Sequence, residues 1–135
     1  MKNREDKIIK FFARDQFAAH VGIKLLKVQP GYAEAQMEIT DKHLNGINIV
    51  QGGAIFTLAD FAFAAASNAQ GQVTVGINAN IAYFKPPKGK LLLAEAKEIS
   101  LSRKIACYEV DIFDENKEHI AKFNATGYRK EKNIE

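Results

Sequence analysis

The sequence predicts an α+β fold in which a curved antiparallel β-sheet wraps around one long central α-helix, with an additional helix at the N-terminus. Two observations carry that prediction. Residues 53–69 read GAIFTLADFAFAAASNA, and between Ala54 and Ala66 only Thr57 and Asp60 are polar; a helix apolar on nearly all sides is normally a buried one. The order of elements is helix, hairpin, long apolar helix, then three or four consecutive strands, which supplies a sheet to bury that helix. No internal repeat or low-complexity segment points elsewhere.

Each element has its own signature. In EDKIIKFFARDQFAAHVG the apolar residues Ile8, Ile9, Phe11, Phe12 and Phe17 alternate with charges at helical spacing, so residues 1–21 read as one amphipathic helix stopped by Gly22. KLLKVQPGYAEAQMEIT splits at Pro30-Gly31, and its second half sets Ala33, Ala35, Met37 and Ile39 against Glu34, Gln36 and Glu38: a β-hairpin. DKHLNGINIV follows as a loop with Asn45-Gly46 as its turn signal. After the central helix come VTVGINANIAYFK, ending at Pro86-Pro87, then KLLLAEAKEISL, KIACYEVDIFD and, past a turn at ENK, HIAKFNATGYR. β-branched, aromatic and alternating residues make these strands. Residues 130–135 read as a flexible tail.

Composition bounds the function. The 135 residues are 47% hydrophobic and 26% charged, which fits one globular domain over residues 1–135. A net charge of +3 and a pI near 8.9 fall short of the basic stripe that nucleic-acid binding requires, and suit a small anionic ligand. One cysteine, Cys107, forms no intramolecular disulfide; the N-terminal segment lacks the apolar run and cleavage site of a secretory leader; and no run approaches the ~18 apolar residues of a membrane span. These readings give a cytoplasmic protein with no membrane partner. His20, His43 and His119 have no metal-ligand spacing, so no metal is expected, and His43 is assigned a surface or structural role. Ser67 lies outside any nucleophile elbow, and Cys107 is read as inert packing.

The informative residue is Asp60. An ionised carboxylate in apolar surroundings costs several kcal/mol unless it is paired or neutralised. One reading pairs it with a buried cation or backbone donor, or places it at a subunit interface. The other is functional, and the start of the same helix favours it. Gly52-Gly53 at a helix N-terminus leaves unpaired N–H groups, lets a substrate approach the backbone and carries the positive end of the helix dipole. Such donors stabilise the oxyanion of an acyl-transfer reaction. Gly52 and Asp60 are eight positions apart, roughly 12 Å along a helix axis. If both act on one carbonyl, they come from different subunits whose helices run antiparallel across a two-fold axis. The expected assembly is an obligate dimer with two shared sites.

HLNGINIVQGGAIFTLADFAFAAASNAQG resembles the hot-dog-fold acyl-CoA thioesterases of the phenylacetate-pathway (PaaI) type, whose pattern runs His-Leu-Asn-Gly, a short spacer, His-Gly-Gly and then Leu-Ala-Asp on the central helix. The likeness continues through NIAYFKPPKGKLLLAEAKEISLSRK and HIAKFNATGYR, covering about Gly22 to Arg129. The resemblance implies that Asp60 is the general base or nucleophile, that Gly52 donates the oxyanion-hole N–H, that Asn45 positions water or thioester, and that dimers pair into a homotetramer. Gln51 stands where the family usually has His: an amide still hydrogen-bonds and holds the loop, but it does not titrate near neutral pH. The hydroxyl that some relatives carry on the following strand has Gly76 as its counterpart, with Thr74 nearby, and is left unassigned.

The expected reaction is hydrolysis of an acyl-CoA, aromatic (phenylacetyl or hydroxyphenylacetyl) or medium-chain, with coenzyme A as part of the substrate and no other cofactor. Gly53, Phe56, Phe61, Phe63 and Tyr83 are the candidates to line the acyl group, and Lys88, Lys90, Arg103 and Lys104 those to meet the coenzyme phosphates. Alternatives are a noncatalytic acyl-CoA-binding protein of the same fold, and a dehydratase. The second is disfavoured because the position five after Asp60 is Ala65 and no His follows on the helix.

Overall fold

A computed structural model describes residues 2–134. Helix α1 (Lys2–Phe12) and the short α2 (Gln16–His20) precede a hairpin of β1 (Ile23–Gln29) and β2 (Tyr32–Glu38). A 3-10 turn (Asp41–His43) and a loop lead to the central helix α3 (Gly52–Asn68), followed by β3 (Gln72–Tyr83), β4 (Leu91–Leu101), β5 (Ile105–Asp114) and β6 (His119–Asn133). The strands form one sheet in the order β1-β2-β4-β5-β6-β3, antiparallel throughout. α3 touches every strand.

Alternation in the sequence becomes the inner face of the sheet. Ala33, Ala35 and Met37 on β2, Leu92, Ala94 and Ala96 on β4, Ala106, Tyr108, Val110 and Ile112 on β5, and Ala121, Phe123 and Ala125 on β6 are all buried. The alanines keep the sheet surface low, which lets α3 lie close and press Leu58, Ala59, Ala62, Ala65 and Ala66 into it. Larger rings fill what remains: Phe63 meets Tyr108 edge-on at 5.6 Å and Phe56 meets Phe123 at 5.2 Å. The turn at Pro30-Gly31 is where the hydropathy places it, with Gly31 at φ +80°. At the far end of α3 the Asn68 amide clasps β3, donating to the Thr74 carbonyl at 3.2 Å and accepting the Thr74 N–H at 2.8 Å.

Three expectations are corrected. The segment expected to be one helix over residues 1–21 holds two within its described part, 2–21, because the Asp15 carboxylate accepts the Ala18 N–H at 3.0 Å and caps a new helix there instead of continuing the old one; Met1 lies outside the described residues. Phe17 consequently points outward and is 61% exposed. Residues 130–133, expected to be a loose tail, belong to β6: Asn133 pairs with Gln72, and the Ile134 N–H donates to the Gly71 carbonyl at 2.9 Å; Glu135 lies outside the described residues. Finally, α3 is not enclosed all round. Gly53 and Asp60 are exposed and Thr57 and Ala64 half-buried, so one stripe at i, i+4, i+7, i+11 faces away from the sheet. No helix of the described residues is long and apolar enough to cross a membrane.

The loop joining β5 to β6 is held by Asp114, which is buried. Its carboxylate accepts the N–H groups of Lys88 (3.0 Å), Asn116 (2.9 Å) and Glu118 (3.1 Å). Burial pushes this acid up, but those donors, led by Lys88, together with the Lys85 charge hold it below the ordinary 3.8. A carboxylate lowered on folding contributes stability that is present above its unfolded value and lost as pH falls through its folded one. Asp114→Ala is expected to cost about 2 kcal/mol in urea unfolding at neutral pH. The gap to wild type should narrow steadily as the same measurement is repeated below pH 4.

Candidate active site

The start of α3 is built by the loop before it. His43 is buried, and its ring is tied at both ends: Nδ1 accepts the Thr40 N–H at 2.9 Å and Nε2–H donates to the Val21 carbonyl at 2.7 Å. Because a backbone N–H can only donate, this fixes the ring proton on Nε2. The His43 carbonyl in turn accepts the Gln51 N–H at 2.8 Å. Asn45 Oδ1 accepts the N–H groups of Ile47 (3.0 Å) and Ile49 (3.3 Å), closing the turn that a bridge between Leu44 and Val50 completes. The side-chain oxygen of Asn45 is thus used within its own loop, and its Nδ2 has no partner among the described residues.

Helix geometry then leaves two donors. The Gln51 carbonyl accepts from Ala54 and Ile55, whereas the N–H groups of Gly52 and Gly53 have no backbone acceptor among the described residues. A side chain at either position would press on a neighbour. A Cβ on Gly52 would lie 3.0 Å from the Tyr83 ring carbon and hydroxyl, and one on Gly53 would lie 3.0 Å from Gln51 Oε1. The Tyr83 hydroxyl donates to the Gly52 carbonyl at 2.9 Å. A hollow of about 420 Å³ opens beside these donors, lined by Phe17, Val21, Leu44, Gln51, Gly53 and Thr57.

Asp60 lies two turns further along the open stripe. In the single chain it is exposed, contrary to the expectation of a hidden acid, with no salt-bridge partner among the described residues. Partial desolvation pushes its carboxyl above the ordinary range and the nearby Asp15 carboxylate adds to the rise. Both influences disfavour the charged form.

The residues singled out in the sequence therefore fall into groups. Asn45, Gln51, Gly52, Gly53 and Tyr83 gather around the helix start, with Asp60 on the same face of α3. Phe61 and Phe63 are buried, Phe61 against Phe12 and Phe63 against Tyr108 and Phe123, and half-buried Phe56 leans on Phe123; these three rings serve the core of this chain. Lys88 and Lys90 follow β3 at the Tyr83 end of the sheet, whereas Arg103 and Lys104 occupy the β4–β5 turn at the opposite end, so one chain does not bring the four together. Thr74 is buried beside Asn68, its hydroxyl donating to the Gln72 carbonyl at 3.2 Å, and Gly76 faces the Phe63 ring; neither stands on the open stripe. Three residues given no role by the sequence reading join the site. Thr57, whose hydroxyl donates to the Gly53 carbonyl at 2.8 Å, was visible as i+4 from Gly53 and i−3 from Asp60. Asp15 was visible as a helix-capping type, and Phe17 follows from that cap. A larger recess of about 600 Å³ between α1 and the β1–β2 turn contains none of the site residues.

Comparison with known proteins bears on this geometry. Residues 47–121, which include the helix start and Asp60, match the model of the thioesterase superfamily. The acyl-coenzyme A thioesterase PaaI of Escherichia coli is 30% identical over 119 residues, 87% of this chain and 85% of its own length. The structure of the Escherichia coli PaaI protein from the phenylacetic acid degradation operon superposes with a TM-score of 0.90 at 27% identity, covering 97% of this chain and 99% of that one. A mutant of the phenylacetic acid degradation protein PaaI from Thermus thermophilus superposes with a TM-score of 0.80 at 35% identity, over 84% and 98% of the two chains.

Asp15→Asn tests the electrostatics of the stripe directly. Asparagine keeps the helix cap while removing a negative neighbour, so the Asp60 carboxyl should titrate at lower pH in the variant, read from its carbon chemical shift. An unmoved titration would separate the two acids.

Proposed function

The chain belongs to the thioesterase superfamily, as a hot-dog-fold thioester hydrolase of the PaaI-like kind, and on that premise we propose that it cleaves acyl-CoA thioesters at sites shared between two subunits. The observation that carries the reading is the pair of N–H groups at Gly52 and Gly53 that lack a backbone acceptor among the described residues, at the start of the helix that also carries an acid too far along it for one carbonyl to reach both in the same chain. The open edge of the sheet supports the two-fold. β3 is an edge strand whose residues 75–80 are all exposed, Val75 at 38% and Ile77 at 57%. Pairing that edge with a second copy extends the sheet, satisfies its backbone groups and sets the two α3 helices antiparallel. By the family resemblance, two such dimers assemble into a tetramer.

In this reading the thioester oxygen accepts the Gly52 N–H, with Gly53 beside it, and the partner subunit's Asp60 attacks from the other side. As a base it takes a proton from water while the hydroxide adds to the carbonyl carbon. The tetrahedral oxyanion then collapses, breaking the carbon–sulfur bond, and the thiolate recovers the proton from the acid. As a nucleophile it displaces the thiolate itself, giving an anhydride that water opens. Asn45 Nδ2 is proposed to hold the water or the thioester, and Gln51 to hold the loop by its amide. An antiparallel two-fold also brings the partner subunit's Arg103 and Lys104 to the end of the sheet that carries Lys88 and Lys90, where the coenzyme phosphates are proposed to bind. Aromatic acyl groups such as phenylacetyl or hydroxyphenylacetyl, and medium-chain acyl groups, are the proposed substrates. The proposed compartment is the cytoplasm, consistent with the free thiol of Cys107.

Free-thiol release from a panel of aromatic and straight-chain acyl-CoA thioesters tests the reaction. Asp60→Asn should lower kcat at least ~100-fold. Saturable acyl-CoA binding without turnover in the wild type would instead identify a noncatalytic binding protein. In a single turnover in ¹⁸O-water, label recovered on Asp60 establishes the anhydride route, because only an anhydride opened at the protein carbonyl places it there. Refolding equal amounts of Gly52→Pro and Asp60→Asn chains should restore about a quarter of wild-type activity, because half the dimers are mixed and each has one intact site. Proline is compatible with the first helical position, although Tyr83 must yield to its ring. Inactive, verified mixed dimers would exclude sharing.

A further inference from the structure

We propose that Tyr83 is a positioning residue, whose hydroxyl, bonded to the Gly52 carbonyl, aims the Gly53 N–H, the second donor of the glycine pair, at the reacting oxygen. The inference rests on reading that pair as oxyanion donors.

The argument starts from peptide planarity. In a trans peptide the C=O and N–H point in opposite directions, so fixing the carbonyl fixes the donor. The Gly52–Gly53 peptide opens α3, so its carbonyl takes the helical bond from one turn ahead, and the Tyr83 hydroxyl adds a second bond to it at 2.9 Å; its N–H is that of Gly53. The preceding peptide has the Gln51 carbonyl held by Ala54 and Ile55, and its N–H is that of Gly52. One residue further back, the Gln51 N–H is held by the His43 carbonyl. Two adjacent glycines are the most mobile backbone available, and three successive peptides are pinned so that only the two outward donors remain. Within this set Tyr83 provides the only side-chain bond described, and it comes from β3, 31 positions along the chain. The tyrosine ring also occupies the space that a Cβ on Gly52 would need, so glycine and tyrosine are fitted to each other. Partial burial raises the phenol above its ordinary range, which keeps on the oxygen the proton it donates.

Tyr83→Phe keeps the ring and removes the bond. Two measurements on the protein decide the matter. With an aromatic acyl-CoA, kcat should fall about tenfold while KM stays within about twofold, since the donors act on the transition state more than on bound substrate. In the free protein, ¹⁵N relaxation should show the Gly53 amide losing order, more than that of Gly52, while Tm is little changed. Unchanged kcat, unchanged amide order, or a rise in KM alone would overturn the proposal, the last by making Tyr83 a substrate contact. Should the wild type hydrolyse no thioester, the enzymatic reading fails by itself, and the proposal, which needs that reading, falls with it whatever the relaxation data show.

Discussion

The separation of Gly52 from Asp60 on one rigid rod is the constraint from which the remaining arrangement follows. A helix has a fixed rise, so eight residues hold the donors and the acid roughly 12 Å apart whatever the side chains do. That distance is too long for one carbonyl and short enough for two crossing helices to offer one group each. α3 can serve this purpose only because it is stiff over its whole length. Its stiffness comes from the sheet, which presses on it from every strand.

The same helix meets two demands that pull against each other. The buried side requires small, apolar residues so that the alanine-rich strands can approach; the open stripe must carry polar groups without losing helical regularity. The sequence resolves this by periodicity: Gly53, Thr57, Asp60 and Ala64 fall on one line and the bulky rings fall elsewhere. Thr57 is tolerated mid-helix because its hydroxyl returns to the carbonyl one turn back.

Much of the fold was legible in the residues because it depends on local spacing. The Pro30-Gly31 turn, the two-residue alternation of β5 and the run of alanines on α3 each announce their structure within a dozen positions. The break at Asp15 was missed because the apolar pattern runs on across it, and the cap competes with that pattern through one hydrogen bond. The last strand was read short because KEKN is hydrophilic, yet it lies beside Gln72 and gains its ladder from there. Asp60 was expected to be hidden because uniform apolarity looks the same whether the cover is the chain's own sheet or something else. The Tyr83 bond and the division of the four basic residues between opposite ends were invisible for a simpler reason: both depend on which strands become neighbours.

The unpaired border of β3 also bears on how the protein survives at low abundance. In the proposed assembly, a folded subunit without its mate presents a ready template with greasy Val75 and Ile77 beside it, and any similar segment can add to it. Persistence should then follow mass action, with dilute material spending more time in a state open to clumping or degradation. A substitution along that rim would first register as missing material in the cell, and only afterwards as slower chemistry.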